Sequence, residues 1–133
     1  MELHPIGTVR SPLTDLGAAP KQGDEGAPEA TFAIDPKFAP GLEGIEEGDE
    51  LVVLTWLDRA ERAVLSVHPR GDLSRPATGV FATRSPARPN PIGLHRVRVV
   101  GVEGAELRVA DLEALGGTPV LDVKPVLGEV EER

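Results

Sequence analysis

Apolar residues in this chain return at every second position, in short runs broken by glycine and proline. A helix buries one face only when apolar residues return every three or four positions, so this spacing demands strands. Glu29-Ala30-Thr31-Phe32-Ala33-Ile34-Asp35 alternates, with Phe32 and Ile34 on one face. Leu51-Val52-Val53-Leu54-Thr55-Trp56-Leu57 is apolar throughout and predicts a strand buried on both faces. Gly7–Arg10, Ala63–Val67, Gly79–Thr83, Arg96–Val99, Leu107–Val109 and Pro119–Val123 read as further strands. In Arg96-Val97-Arg98-Val99 the valines face in and the arginines out. A hairpin turn is predicted near Gly101–Ala105. Helix is confined to a short turn at Pro36–Ala39, continuing near Leu42–Glu47. Seven or eight short strands with so little helix predict a mainly β fold. It is an antiparallel barrel or sandwich with few short helices, not the βαβ units of a Rossmann sheet.

At 133 residues the chain is long enough for one core and too short for two. With no cysteine it has no disulfide, no thiolate metal site and no cysteine nucleophile. His4, His68 and His95 show no metal-ligand spacing, so no metal is expected. No apolar run reaches the roughly 18 residues of a membrane span. The first residues lack the basic and apolar blocks of a signal peptide, and a cytoplasmic location is expected. The glycine patterns of dinucleotide and nucleotide-triphosphate loops are missing, as is the nucleophile elbow of hydrolases.

Net charge is −8, unevenly spread. Residues 1–50 hold 11 acids and 3 bases, and residues 101–133 hold 8 acids and 3 bases. Residues 51–100 hold 3 acids and 8 bases, all of them arginine. Arginine grips carboxylates and phosphates with a planar fork, so this block is a candidate anion-binding region. It equally fits surface arginines that balance nearby acids.

Two loops stand apart: residues 11–28, and the proline-rich stretch Arg84-Ser85-Pro86-Ala87-Arg88-Pro89-Asn90-Pro91-Ile92-Gly93. Each proline fixes its own φ and pushes the residue before it toward extended geometry. Such a loop is stiff before any ligand arrives and loses little entropy on binding. It carries Arg84, Arg88 and Asn90 as polar heads. Gly117-Thr118-Pro119, with Asp122 and Lys124 beyond it, forms a second compact segment.

Taken together, these segments resemble the TrmO family, also called TsaA-like. The matching stretches are Ile6–Pro12, Pro20-Lys21-Gln22, Gly41–Ile45, Gly79-Val80-Phe81-Ala82-Thr83-Arg84-Ser85-Pro86, Arg88-Pro89-Asn90-Pro91-Ile92-Gly93-Leu94 and Gly117–Pro125. They run from about residue 5 to residue 126, nearly the whole chain. The resemblance implies a small β-barrel that binds S-adenosylmethionine without a Rossmann sheet, usually as a homodimer. It implies methyl transfer to N6 of N6-threonylcarbamoyladenosine at position 37 of tRNA, with the tRNA as a transient partner.

Carried over by motif, the cofactor site would comprise Pro20, Lys21 and Gln22; Asp58 and Arg59; Arg84; Leu94; and Asp111, Leu112, Glu113 and Ala114. An arginine suits the cofactor's carboxylate, an apolar side chain its adenine, and main-chain groups the adenine edge. Ser85, Arg88 and Asn90 read as positioning groups, and no residue is identified as the base that takes the acceptor's proton. The chain departs from many members at Asp58, where they carry histidine, at Gly116, where they carry aspartate, and at Ala87, which is often aromatic. Larger bacterial members carry an extra C-terminal domain. Here one barrel over residues 1–133, ordered from about 3 to 126, is expected, with no second domain. Two other functions fit the residues: methyl transfer to a free small molecule, and a non-catalytic barrel that senses S-adenosylmethionine or a nucleotide.

Overall fold

A computed structural model of the chain describes residues 1–12, 29–68 and 72–128. Its strands are Gly7–Arg10 (β1), Ala30–Ile34 (β2), Glu50–Trp56 (β3), Ser66–Val67 (β4), Thr78–Gly79 (β5), Ile92–Glu103 (β6), Glu106–Ala110 (β7) and Pro119–Pro125 (β8). Six of them close into a barrel in the order β1-β2-β7-β6-β3-β8, and every neighbouring pair is antiparallel. The expected mainly β barrel is therefore what forms. Residues 13–28 lie outside the described residues, and Pro20, Lys21 and Gln22 with them.

Alternation fills the barrel. Val9, Phe32, Val53, Val97, Val99, Leu107, Val109 and Val120 all point inward and are sealed from solvent. Removing the Phe32 side chain from this interior would cost about 3–5 kcal/mol. On β6, Arg96 and Arg98 point outward between the buried valines, as the sequence predicts. This strand pairs with β3 through its first half and with β7 through its second, the register shifting between Val99 and Gly101. Such a shift bends a strand and lets one long strand turn the corner of a small barrel. The hairpin between β6 and β7 turns at Gly104, inside the stretch expected for it.

Three strand expectations need correction. The β3 run is buried on one face only. Leu51, Val53 and Thr55 are sealed, whereas Val52, Leu54 and Trp56 on the outer face are half-buried. Gly79–Thr83 is not a strand: β5 stops at Gly79, and Val80–Ala82 is a single 3-10 turn that buries Val80 and leaves Phe81 82% exposed. Of Ala63–Val67 only Ser66 and Val67 pair.

The helix near residue 36 is a 3-10 helix over Pro36–Leu42. The Asp35 side chain accepts from Lys37 N at 3.1 Å and starts it, and Pro36 suits its first turn. It does not continue to residue 47, because Gly44 takes a φ of 97° and turns the chain. Leu42, with Phe38 and Ile45 beside it, closes one part of the barrel core.

Candidate functional site

Residues 57–91 leave the barrel after β3 and return to it at β6. Leu57 N donates to Pro91 O at 2.8 Å and pins the two ends together. Pro91 is fully buried at that point. Beyond it the proline-rich loop is held by two arginines. Arg88 Nη2 donates to Thr83 O at 2.8 Å and also to Val80 O, and Arg88 N donates to Glu61 O at 3.0 Å. Arg62 donates from Nε to Pro89 O at 2.7 Å and from Nη2 to Asn90 Oδ1 at 3.2 Å. The same guanidinium lies 5.1 Å from the centre of the Trp56 ring, in cation–π range. Thr83 Oγ1 accepts from Ser85 N, and Ser85 Oγ accepts from Ala87 N, which fixes the turn between them. The capture of two carbonyls by Arg88 is the physical reason residues 80–83 curl instead of extending.

Arg84 projects from this braced loop. It is exposed and makes no hydrogen bond or ion pair to another described residue. Asp58 and Arg59 sit exposed just past the end of β3. Leu94, 47% exposed, faces outward on β6 directly opposite Leu54 of β3, and Ile92 does the same opposite Trp56. These four side chains make an apolar shelf on the outside of the barrel.

Residues 111–114 follow β7. Asp111 takes a φ of 71°, a left-handed conformation that aspartate tolerates better than most residues. That reversal sends Leu112, Ala114 and Leu115 into the core. Glu113 points the other way, toward β6, where its Oε1 lies 2.5 Å from His95 Nδ1. His95 is 5% exposed, and its Nε2 lies 2.7 Å from the buried Thr55 Oγ1. A carboxylate oxygen accepts, so Nδ1 donates to Glu113, and the Thr55 hydroxyl, which can donate or accept, is the partner of Nε2.

Among the described residues no three histidine, aspartate or glutamate side chains converge as metal ligands, and no helix is long and apolar enough to cross a membrane.

The family model of the tRNA-methyltransferase O N-terminal domain matches residues 8–132. The chain belongs to the TrmO family. It is 44% identical over 131 residues to the S-adenosyl-L-methionine-binding protein of Archaeoglobus fulgidus, covering 98% of this chain and 93% of that one. A longer Archaeoglobus fulgidus relative is 45% identical over 131 residues, and there the match spans 98% of this chain but only 35% of the relative. The crystal structure of TrmO from Pseudomonas aeruginosa superposes with a TM-score of 0.75 at 33% identity, over 96% of this chain and 56% of that one. The chain thus spans about half the length of the solved TrmO structure that it matches.

Of the positions matched to the TrmO motifs, the structure brings several to one end of the barrel. The end of β3 and the proline-rich loop are tied by Leu57 to Pro91 and by Arg62 to Asn90. Leu94 and the 111–114 segment are tied through His95 and Glu113. Arg88 and Asn90 face the loop's own backbone and Arg62, so their polar heads serve the loop's shape. The arginine block divides. Arg62 and Arg88 brace the loop, Arg96 pairs with Glu50 at 2.7 Å, and Arg75 pairs with Asp72 at 3.5 Å. Arg84 and Arg98 have no such partner among the described residues.

Sequence reasoning missed Arg62, Thr55 and His95. One signal was available for His95. It occupies the inward phase of β6, between Gly93 and Val97, and a polar residue in that phase must find a partner.

Proposed function

We propose that this chain is an S-adenosylmethionine-dependent N-methyltransferase whose acceptor is N6 of N6-threonylcarbamoyladenosine at position 37 of tRNA. The family match over residues 8–132 carries the reading. The naming of the Archaeoglobus fulgidus relative as an S-adenosyl-L-methionine-binding protein supports the cofactor.

The residues present fit that cofactor. Arg84 offers an exposed guanidinium, without a partner among the described residues, to a carboxylate. Leu94, Ile92, Leu54 and Trp56 offer an apolar shelf for a purine to lie against. The main chain of Leu112–Ala114 runs outside the strand ladder, which leaves its polar groups available to an adenine edge. Asp58 and Arg59 complete the set, and so do Pro20, Lys21 and Gln22 by their motif. When bound, S-adenosylmethionine supplies an electrophilic methyl group.

The chain's own part is to orient. Displacement at a methyl carbon needs donor and acceptor in line, and a loop fixed by three prolines and two arginines delivers that alignment at little entropic cost. Ser85, Arg88 and Asn90 act as positioning groups in this scheme. The protein is taken to be a single cytoplasmic barrel that works as a homodimer. The exposed apolar side chains Leu65, Leu73 and Phe81 support that pairing.

The net charge of −8 favours a second acceptor, a free small molecule, because phosphate contacts normally dominate affinity for nucleic acid. Methyl-labelled S-adenosylmethionine incubated with the protein and with tRNA carrying N6-threonylcarbamoyladenosine separates the two. Label in the digested nucleoside at N6 supports the tRNA reading, and an unlabelled tRNA pool removes it. Cofactor binding with no transfer to any acceptor would leave a sensing barrel.

A further inference from the structure

The proposed cofactor site draws on three segments far apart in sequence: the end of β3, the start of β6, and residues 111–114. One buried side chain touches all three. His95 is the neighbour of Leu94 on β6, its Nε2 lies 2.7 Å from Thr55 on β3, and its Nδ1 lies 2.5 Å from Glu113. The ring is seated closely. A Cβ on Gly93 would lie 2.4 Å from Thr55 Oγ1 and 2.6 Å from His95 Nε2, so only glycine fits beside it.

We infer that His95 is a positioning residue: it holds the Glu113 carboxylate, and with it the main chain of residues 111–114, against the Leu94 end of β6. The inference rests on the cofactor reading for its functional meaning, but not for its geometry.

At 5% exposure the imidazole does not itself reach a ligand. It acts through Glu113, whose side chain is 19% exposed and so borders the surface. Nδ1 engages Oε1, and Oε2 makes no hydrogen bond to a described residue. That leaves a fixed oxygen available to a hydroxyl or ammonium donor, both of which S-adenosylmethionine carries, on its ribose and its amino-acid group. Asp111 adds the complementary constraint. Its left-handed φ fixes how the segment leaves β7, and the His95 bond fixes where it lies two residues later.

The test uses the full chain, with S-adenosylmethionine as the titrant and amide hydrogen exchange across residues 110–117 as an independent readout. Loss of a buried bond to a charged group predicts a rise in exchange of about tenfold or more in Glu113→Ala, confined to that segment. Glu113→Gln keeps an oxygen that accepts from Nδ1, so it returns exchange toward the wild-type rate. Affinity for S-adenosylmethionine falls about tenfold or more in Glu113→Ala. His95→Asn matches Glu113→Ala in both readouts. If it does not fold, the Glu113 pair still decides the matter.

Wild-type exchange in Glu113→Ala overturns the inference, and so does exchange that rises equally in the Ala and Gln variants. If the wild type itself does not bind S-adenosylmethionine, the cofactor reading falls, and the exchange result alone decides whether His95 holds the segment.

Discussion

Thr55 Oγ1 lies 2.7 Å from His95 Nε2, where solvent reaches neither the hydroxyl nor most of the ring. Valine matches threonine in shape but brings no hydroxyl. Thr55→Val therefore leaves Nε2 buried and unpaired and should lower stability by about 1–3 kcal/mol, whereas Thr55→Ser should recover much of the loss. Urea denaturation of the three proteins measures the difference.

Gly93 is opposite Thr55 in the β3–β6 ladder. Adding one methyl there meets the Thr55 hydroxyl and the His95 ring within 2.6 Å. Gly93→Ala should cost about 1–3 kcal/mol through overpacking, read as a lower denaturation midpoint. An unchanged midpoint would show that the ring yields freely.

Arg88 gives its guanidinium to the carbonyls of Val80 and Thr83. Arg88→Met keeps the apolar stem and removes those bonds, with an expected loss of about 1–3 kcal/mol. Protease cleavage near residues 80–90 should rise in that variant and not in Arg96→Met, whose arginine pairs with Glu50 on the outer face of the barrel.

Arg84 and Arg75 are both exposed arginines of the same excursion. Arg84→Ala should leave stability within about 0.5 kcal/mol of the wild type. It should weaken S-adenosylmethionine binding about tenfold or more. Arg75→Ala should change neither. Calorimetric titration of both variants checks the contrast, and equal effects would show that the arginine assignment is wrong.

Trp56 is the sole tryptophan, half-buried under the Arg62 guanidinium. Arg62→Ala uncovers the ring and frees Asn90, so the fluorescence maximum should move to longer wavelength. In the wild type, a ligand settling on the Leu94 shelf should move it the opposite way.

Much of the barrel is legible from period-two alternation, because a strand that buries one face must write that face into its sequence. The inward valines of β6 are the clearest case. Legibility fails where long-range contacts override local pattern. Val80 and Phe81 alternate as strand residues do, yet Arg88 draws the carbonyls of Val80 and Thr83 together and the segment curls. The β3 run looks equally buried on both sides because its outer residues, Leu54 and Trp56, are apolar too, and they form the shelf beside Leu94. The proline-rich loop is visible as stiff from composition alone. What braces it is not, since Arg62 lies 27 residues from Pro89 and nothing local marks their meeting. His95 is hidden for the same reason, with partners 40 and 18 residues away.

The seam between β1 and β8 consists of two paired positions, Gly7 with Val120 and Thr8 with Pro119, flanked by bonds from Ile6 to Val120 and from Val9 to Thr118. It joins a strand at residues 7–10 to one at residues 119–125. Contacts so distant along the chain form late, after most loop entropy has been surrendered. Without β8 the remaining strands make an open sheet with β1 and β3 as its bare edges. The 111–118 crossing, which leads into β8, is therefore set only when the last strand docks and the cylinder closes.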